Sequence, residues 1–273
     1  MMRLIDCFMY FDEDLMLDLR LNILNKEVDK FVIVESKTDH SGNEKKLNFD
    51  IKNFKKFNNK INYLVVDTLP VKKKILSASW RNKPSWLREN FQRNYLYEGF
   101  KNDNENDLVM ISDIDEIPDP NKIKNFNKKE KYACFVQKNF QQKLNLLNTS
   151  NPDWYGTKIC VKKYLKSPQW LRDIKIKKNF WKIYKPNPPQ LIFDGGWHFS
   201  FLKNSKKISK KIKSYAHQEY NKNIFYDIKT INEKISQRKD ILGREFNYNK
   251  IEIDNTFPDF IQNNKEKLKE WIL

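Results

Sequence analysis

An α/β fold built on a mainly parallel sheet and finished by C-terminal helices is what this sequence predicts. Short continuous apolar runs recur at Leu4 to Tyr10, Phe31 to Val34, Ile61 to Val66 and Leu108 to Ile111. Amphipathic stretches separate them, and strands joined through helices pair in parallel. After Ser200 the apolar residues return at helical spacing. The chain has 273 residues, 39% hydrophobic and 14% aromatic, which excludes a disordered composition and allows one large domain.

The elements follow in order. Leu15, Leu19 and Ile23, with Met16 beside them, mark a first helix. The β-branched and aromatic runs at Phe31, Ile61 and Leu108 have the length of strands buried on both faces. Ser85, after Pro84, is placed to cap a helix whose apolar stripe is Leu87, Phe91 and Tyr95, with Arg88, Gln92 and Arg93 off it. From Tyr132 to about Ile192, prolines at 152, 168, 186, 188 and 189 break aromatic and β-branched stretches. That pattern predicts strands, hairpins and loops covering the sheet edge and shaping a cleft. Ile208, Ile212 and Tyr215 then form one helical stripe, and Ile228, Ile231, Ile235 and Leu242 a second that stops at Gly243. No repeat and no Gly/Ser linker divides the chain.

The 52 Lys and Arg outnumber 35 Asp and Glu, giving +17, a field that attracts polyanions, anionic surfaces and nucleotide phosphates alike. The excess is spread along a Lys- and Asn-rich chain, as a solvated surface would be, and no basic tail stands out. Three widely spaced cysteines, Cys7, Cys134 and Cys160, build neither a disulfide framework nor a zinc knuckle, so a reducing compartment is expected. The N-terminal apolar stretch is broken by Asp6 and Asp12, and no later window is long enough to span a membrane. A soluble, cytoplasmic protein without a signal peptide is the expectation.

Six glycines form neither a dinucleotide fingerprint nor a Walker loop. The strongest chemical signal is instead the run from Asp107 to Pro118, an apolar strand ending in Asp113, Asp115 and Glu116. At the carboxyl end of a parallel strand these acids point into the crevice where α/β sheets bind ligands. Carboxylates two apart on an extended segment share a side, which suits one hard divalent cation held with a diphosphate; a solvated acidic turn would look the same. A second cluster runs from Asp194 to Ser200. Gly195 and Gly196 allow close backbone approach, Trp197 offers a flat face for a sugar, and His198 can complete a metal shell or sit as a satisfied core residue. The polar loop after Val34, beginning at Glu35, also lies at a strand's carboxyl end. Arg93 can pair with phosphate and Asn94 can read a base edge, unless both belong to a solvated helix face.

Together these segments resemble glycosyltransferase family 17, the β-1,4-mannosyl-glycoprotein β-1,4-N-acetylglucosaminyltransferase family. The resembling pieces are Ile5 to Phe8 with Glu13 and Arg20, Phe31 to Ser36 with Thr38 and Gly42, Arg93 and Asn94, Ser112 to Pro118, and Gly196 to Ser200. The resemblance implies a GT-A type fold, UDP-N-acetylglucosamine or a related UDP-sugar as donor, a glycan acceptor and a divalent cation, manganese or magnesium. It implies that Asp113 faces the ribose or metal, that Asp115 ligates the metal and that His198 joins the metal shell. Donor-binding roles are expected for Phe8, Glu35, Arg93, Asn94, Asp113, Gly195, Gly196 and Trp197. The single domain divides into a nucleotide-binding half, 1–120, an acceptor- and sugar-shaping part, 121–205, and a helical part, 206–273. Without a membrane anchor or stem at its N-terminus, the chain looks like a bacterial or viral member. A β product from an α-linked donor requires inversion, with a base opposite the leaving group; Glu219 and then Asp194 are the candidates. A nucleotidyltransferase using the same acids stands as the alternative, as does a basic nucleic-acid binder, although no nucleic-acid motif is present and no such partner is expected.

Overall fold

A computed structural model describes residues 2–69, 84–177, 181 and 186–273. Its strands are β1 Leu4–Met9, β2 Lys30–Ser36, β3 Ile61–Val66, β4 Leu108–Asp113, β5 Glu116–Pro118, β6 Tyr132–Gln141, β7 Leu146–Asn148, β8 Asp153–Val161, β9 Gln190–Ile192, β10 Gly196–Ser200 and β11 Tyr248–Lys250. The helices are α1 Asp14–Leu24, α2 Pro84–Tyr95, α3 Pro120–Ile123, α4 Pro168–Asp173, α5 Ser205–Ser214, α6 Asn223–Tyr226, α7 Ile228–Ser236 and α8 Asp259–Asn263.

All strands join one mixed sheet in the order β11-β7-β6-β8-β4-β1-β2-β3, with β5, β9 and β10 attached beside β6. The stretch β3-β2-β1-β4 is parallel throughout, as the alternating pattern predicts. Strand β8 then runs antiparallel to β4, and β6 antiparallel to β8. The middle of the chain therefore extends the sheet through its centre, where an edge covering was expected. Its residues 178–180 and 182–185 lie outside the described ones. Strand β3 ends the sheet and is only half-buried, whereas β2 and β4 are buried on both faces as expected.

Side-chain alternation divides the core. Leu4 and Phe8 pack on one face with α1 and the C-terminal Phe257 and Ile261, while Ile5 and Cys7 pack on the other with Val32, Val109 and Leu171. A third cluster joins Ile208 and Ile212 of α5 to Ile231 of α7 and to Leu242. Asn204 caps α5 by accepting from Lys207 N. Helix α7 ends at Ser236, so Leu242 and Gly243 fall in a turn beyond it and do not close a longer helix. The cause is Asp240, whose carboxylate accepts from Leu242 N and Arg244 N and folds the chain back. All three cysteines are buried and free. Among the described residues, no helix is long and apolar enough to cross a membrane.

Helix α2 departs most from its sequence pattern. Ser85, Gln92 and Arg93 are its buried residues, and Phe91 is exposed. Ser85 does not cap it; its hydroxyl donates to Ala216 O at 2.9 Å. The polar side faces inward because what it faces is a cavity.

Candidate active site

The cavity, about 430 Å³, opens where β1, β2 and β4 end. One end is lined by Met9, Tyr10, Thr38, His40 and Gln92, the middle by Arg93, Asp113, Asp115 and His198, and the far end by Phe201, Tyr215, His217, Tyr220 and Arg244. This is the crevice position expected of a ligand site in a parallel sheet.

The acid turn is held from below by Arg20, which is completely buried. Its Nε and Nη2 donate to the two oxygens of Asp6 at 2.7 and 2.6 Å, and Nη2 also donates to Ser112 Oγ. Its Nη1 donates to the carbonyls of Asp113, Ile114 and Glu116. Phe8 lies under the guanidinium at 4.6 Å, fully buried and away from the cavity lining. The pairing of β1 with β4, in which Phe8 stands opposite Ser112 and Met9 opposite Asp113, brings these groups together.

The three acids separate into different surroundings. Asp113 accepts from Arg93 Nη2 at 3.0 Å and from Arg172 Nη2 at 3.2 Å. Burial opposes its ionisation, but Arg172 and Arg93 outweigh burial and hold the carboxyl well below the usual range. Glu116 is buried in a bidentate pair with Arg172, at 2.6 and 2.9 Å, and accepts from Trp154 Nε1. It is an internal strut and does not line the cavity. Asp115 does line it, with Lys211 Nζ 3.5 Å from Oδ2 and His198 Nε2 3.9 Å from Oδ1. Burial opposes the charge on Lys211, yet Asp115, Glu13 and Asp113 together raise its pKa.

Strand alternation sends His198 and Trp197 to opposite sides of β10. His198 enters the cavity, with Nδ1 3.1 Å from Asn139 Oδ1 and its ring stacked on Trp154 at 4.2 Å. Burial lowers its pKa, which favours neutral imidazole. Trp197 turns into the core across the sheet and donates to Thr256 O. The paired glycines serve strand packing there: a Cβ on Gly196, at φ +131°, would stand 2.2 Å from Ile117 O, and one on Gly195 would stand 2.6 Å from Ile192 O. Asp194, Gly196 and Trp197 line a separate recess of about 530 Å³.

Other predicted residues also lie off the cavity. Glu35 is fully buried, accepting from Asn48 N, Phe49 N, Tyr63 OH and Lys45, so it shapes the loop after β2. Asn94 is exposed and accepts from Gln169 N. Glu219 stands beside the cavity without lining it, and its Oε1 lies 2.7 Å from His217 Nδ1. Of the predicted set, the structure brings together Arg93, Asp113, Asp115 and His198.

Sequence reasoning missed Arg172, Lys211, Trp154 and His217. Lys211 is hidden in a lysine-rich helix, and Arg172 sits in a one-and-a-half-turn helix with no periodic signal. Glu13 also lines the cavity. Burial alone would push its carboxyl up, but Lys203 and Lys211 outweigh burial and set it at about 2.

The carboxyl ends of parallel strands mark this cavity as a ligand site, and the match to known proteins makes the chain a glycosyltransferase. The family model described as Glycosyltransferase family 17 matches residues 1–254, and the chain belongs to that family. No curated protein matches it.

Proposed function

We propose that this glycosyltransferase moves N-acetylglucosamine, or a closely related sugar, from a UDP-sugar to a glycan acceptor with inversion, on a GT-A type fold and with a divalent cation. The observation that carries this reading is Arg93. It is buried, its Nη atoms hold Glu89, Gln169 and Asp113, and its Nε has no partner among the described residues. An unmatched buried N–H costs roughly 1–3 kcal/mol, and a shift of the guanidinium toward a diphosphate oxygen in the cavity would relieve that cost. Parallel strands with the cavity at their carboxyl ends support the GT-A type assignment.

The residues present fit a divalent cation. Asp113 already has both oxygens on arginines, so the cation falls to Asp115 and His198, which face each other across 3.9 Å. With Nδ1 set against Asn139, His198 keeps Nε2 for a metal. Among the described residues no set of three acids, histidines or cysteines is assembled. Two protein ligands suit manganese or magnesium, which takes its remaining ligands from phosphate and water. When bound, the ion would offset the negative charge growing on the departing diphosphate. Lys211 supports the same charge from α5.

Inversion needs a proton acceptor opposite the leaving group. Glu219 reaches the cavity through His217: with Nδ1 on the carboxylate, the imidazole presents Nε2 to an acceptor hydroxyl while Glu219 stabilises the imidazolium that forms. Glu219→Gln and His217→Asn should each lower transfer about 100-fold with UDP binding retained. Near-normal transfer in both variants moves the base elsewhere, and a matching loss of UDP affinity assigns the pair to binding.

A nucleotide-sugar panel with manganese tests the whole reading. UDP release from UDP-N-acetylglucosamine is expected, and release of pyrophosphate from a nucleoside triphosphate in a parallel assay would point to nucleotidyl transfer instead. Arg93→Met should weaken UDP binding by roughly 10- to 100-fold, as expected for hydrogen bonds to a charged group. An unchanged dissociation constant by calorimetry would take Arg93 out of the donor site.

A further inference from the structure

We infer that the acceptor is an anionic glycan whose acidic group is bound by Arg244, in a recess that continues the active-site cavity. The inference rests on the transfer reading above and adds the substrate class to it. Arg244 lines both the cavity and a second recess of about 840 Å³ formed by the turn after α7 and the residues leading into β11. That recess shares no lining residue with the ends of β1 and β2, and it meets the cavity at the end where His217 and Tyr220 stand. An acceptor approaching the proposed base enters from this side.

The lining has the chemistry of an acidic saccharide site. Lys234, Arg238, Lys239 and Arg244 face two acids, Asp240 and Glu245. Asp240 is buried, and its oxygens accept from Leu242 N, Arg244 N and Tyr248 OH. It also fixes Arg244, taking Nε at 3.0 Å and Nη2 at 2.7 Å. The guanidinium lies over Phe246 at 4.7 Å, and Asp240 holds it through Nε and Nη2. With the side chain 34% exposed, a guanidinium held on two sides presents its remaining donors to solvent. A planar, pre-oriented donor of this kind matches a carboxylate or phosphate oxygen. Gln237 and Asn249 offer amides for sugar hydroxyls, and Phe246 an apolar face.

The test is binding of the full chain, with UDP and manganese present, to an array of uronate-bearing and phosphate-bearing glycans beside their neutral parents. At least 10-fold stronger binding of one acidic set is expected, and the two arms separate carboxylate from phosphate. The preference should vanish in Arg244→Met and fall several-fold in the exposed double variant Arg238→Gln/Lys239→Gln, which leaves the Asp240 pair intact if the first variant folds poorly. Equal binding of neutral parents, no glycan binding, or a preference that survives both variants overturns the inference. So does loss of UDP affinity in place of glycan affinity. UDP release is measured separately. A chain that releases UDP but ignores acidic glycans sinks this inference alone, and one that binds them through Arg244 but consumes no UDP-sugar sinks only the transfer reading.

Discussion

Asp115→Asn is expected to reduce turnover on the order of 1000-fold, the equivalent of the several kcal/mol that cation stabilisation of a leaving group supplies. The substitution keeps the size of the side chain. It also leaves the main chain tied, because the Asp115 carbonyl accepts from Phe199 N at 2.9 Å whatever the side chain is. Circular dichroism and UDP affinity without metal should therefore remain close to the parent. The paired measurement is UDP release with and without chelator. Parental activity in the variant ends the proposed role of Asp115. An inactive variant beside a chelator-insensitive parent assigns the effect to the Asp115 and Lys211 pair and removes the cation from the mechanism.

Asp113→Asn offers a contrast. Its carboxylate lies between Arg93 and Arg172, so losing the charge leaves the buried Arg93 with Glu89 alone and Arg172 with Glu116 alone as acidic partners among the described residues. That variant should lose stability as well as activity. The two aspartates share one sequence motif and stand in different electrostatic surroundings, a difference set by Arg172, which lies 59 positions from Asp113.

Legibility from the sequence followed how each feature is encoded. The parallel strands β1, β2 and β4 were readable because strands buried on both faces need continuous apolar runs, and the acid turn because it ends such a strand where α/β sheets bind ligands. Helix α2 misled because the stripe rule assumes that an apolar core lies beneath a helix. Here the buried side carries Gln92 and Arg93 and faces the cavity, a local break in patterning of the kind that functional sites produce. The cluster around Trp197 and His198 was recognisable as a unit, but strand alternation, which sends the two rings to opposite faces, mattered more than adjacency. Arg172, Lys211 and Arg244 carry no local signal, since their roles exist only once distant segments meet.

Arg20→Met is expected to destabilise the protein by about 3–5 kcal/mol, the usual cost of leaving a buried charge without its partner. For a chain of this size that corresponds to a melting temperature lower by roughly 6–20 °C. Arg20 and Asp6 are both completely inaccessible, and their side chains meet at 2.6 and 2.7 Å, so the carboxylate left behind gains no compensating water. The double variant Asp6→Leu/Arg20→Leu separates folding from function. Removing both charges for apolar groups is often neutral or better for stability, so most of the melting temperature should return. Turnover should not return with it, because the carbonyls of Asp113, Ile114 and Glu116 lose the donor that fixes the turn carrying Asp115. A residual loss of about 10- to 100-fold is expected, comparable to removing a group that orients a metal ligand. If the single variant melts with the parent, the buried pair is not structural. If the double variant restores turnover along with stability, Arg20 serves the fold only, and the orientation of the acid turn must come from the strand pairing of β5 with β10.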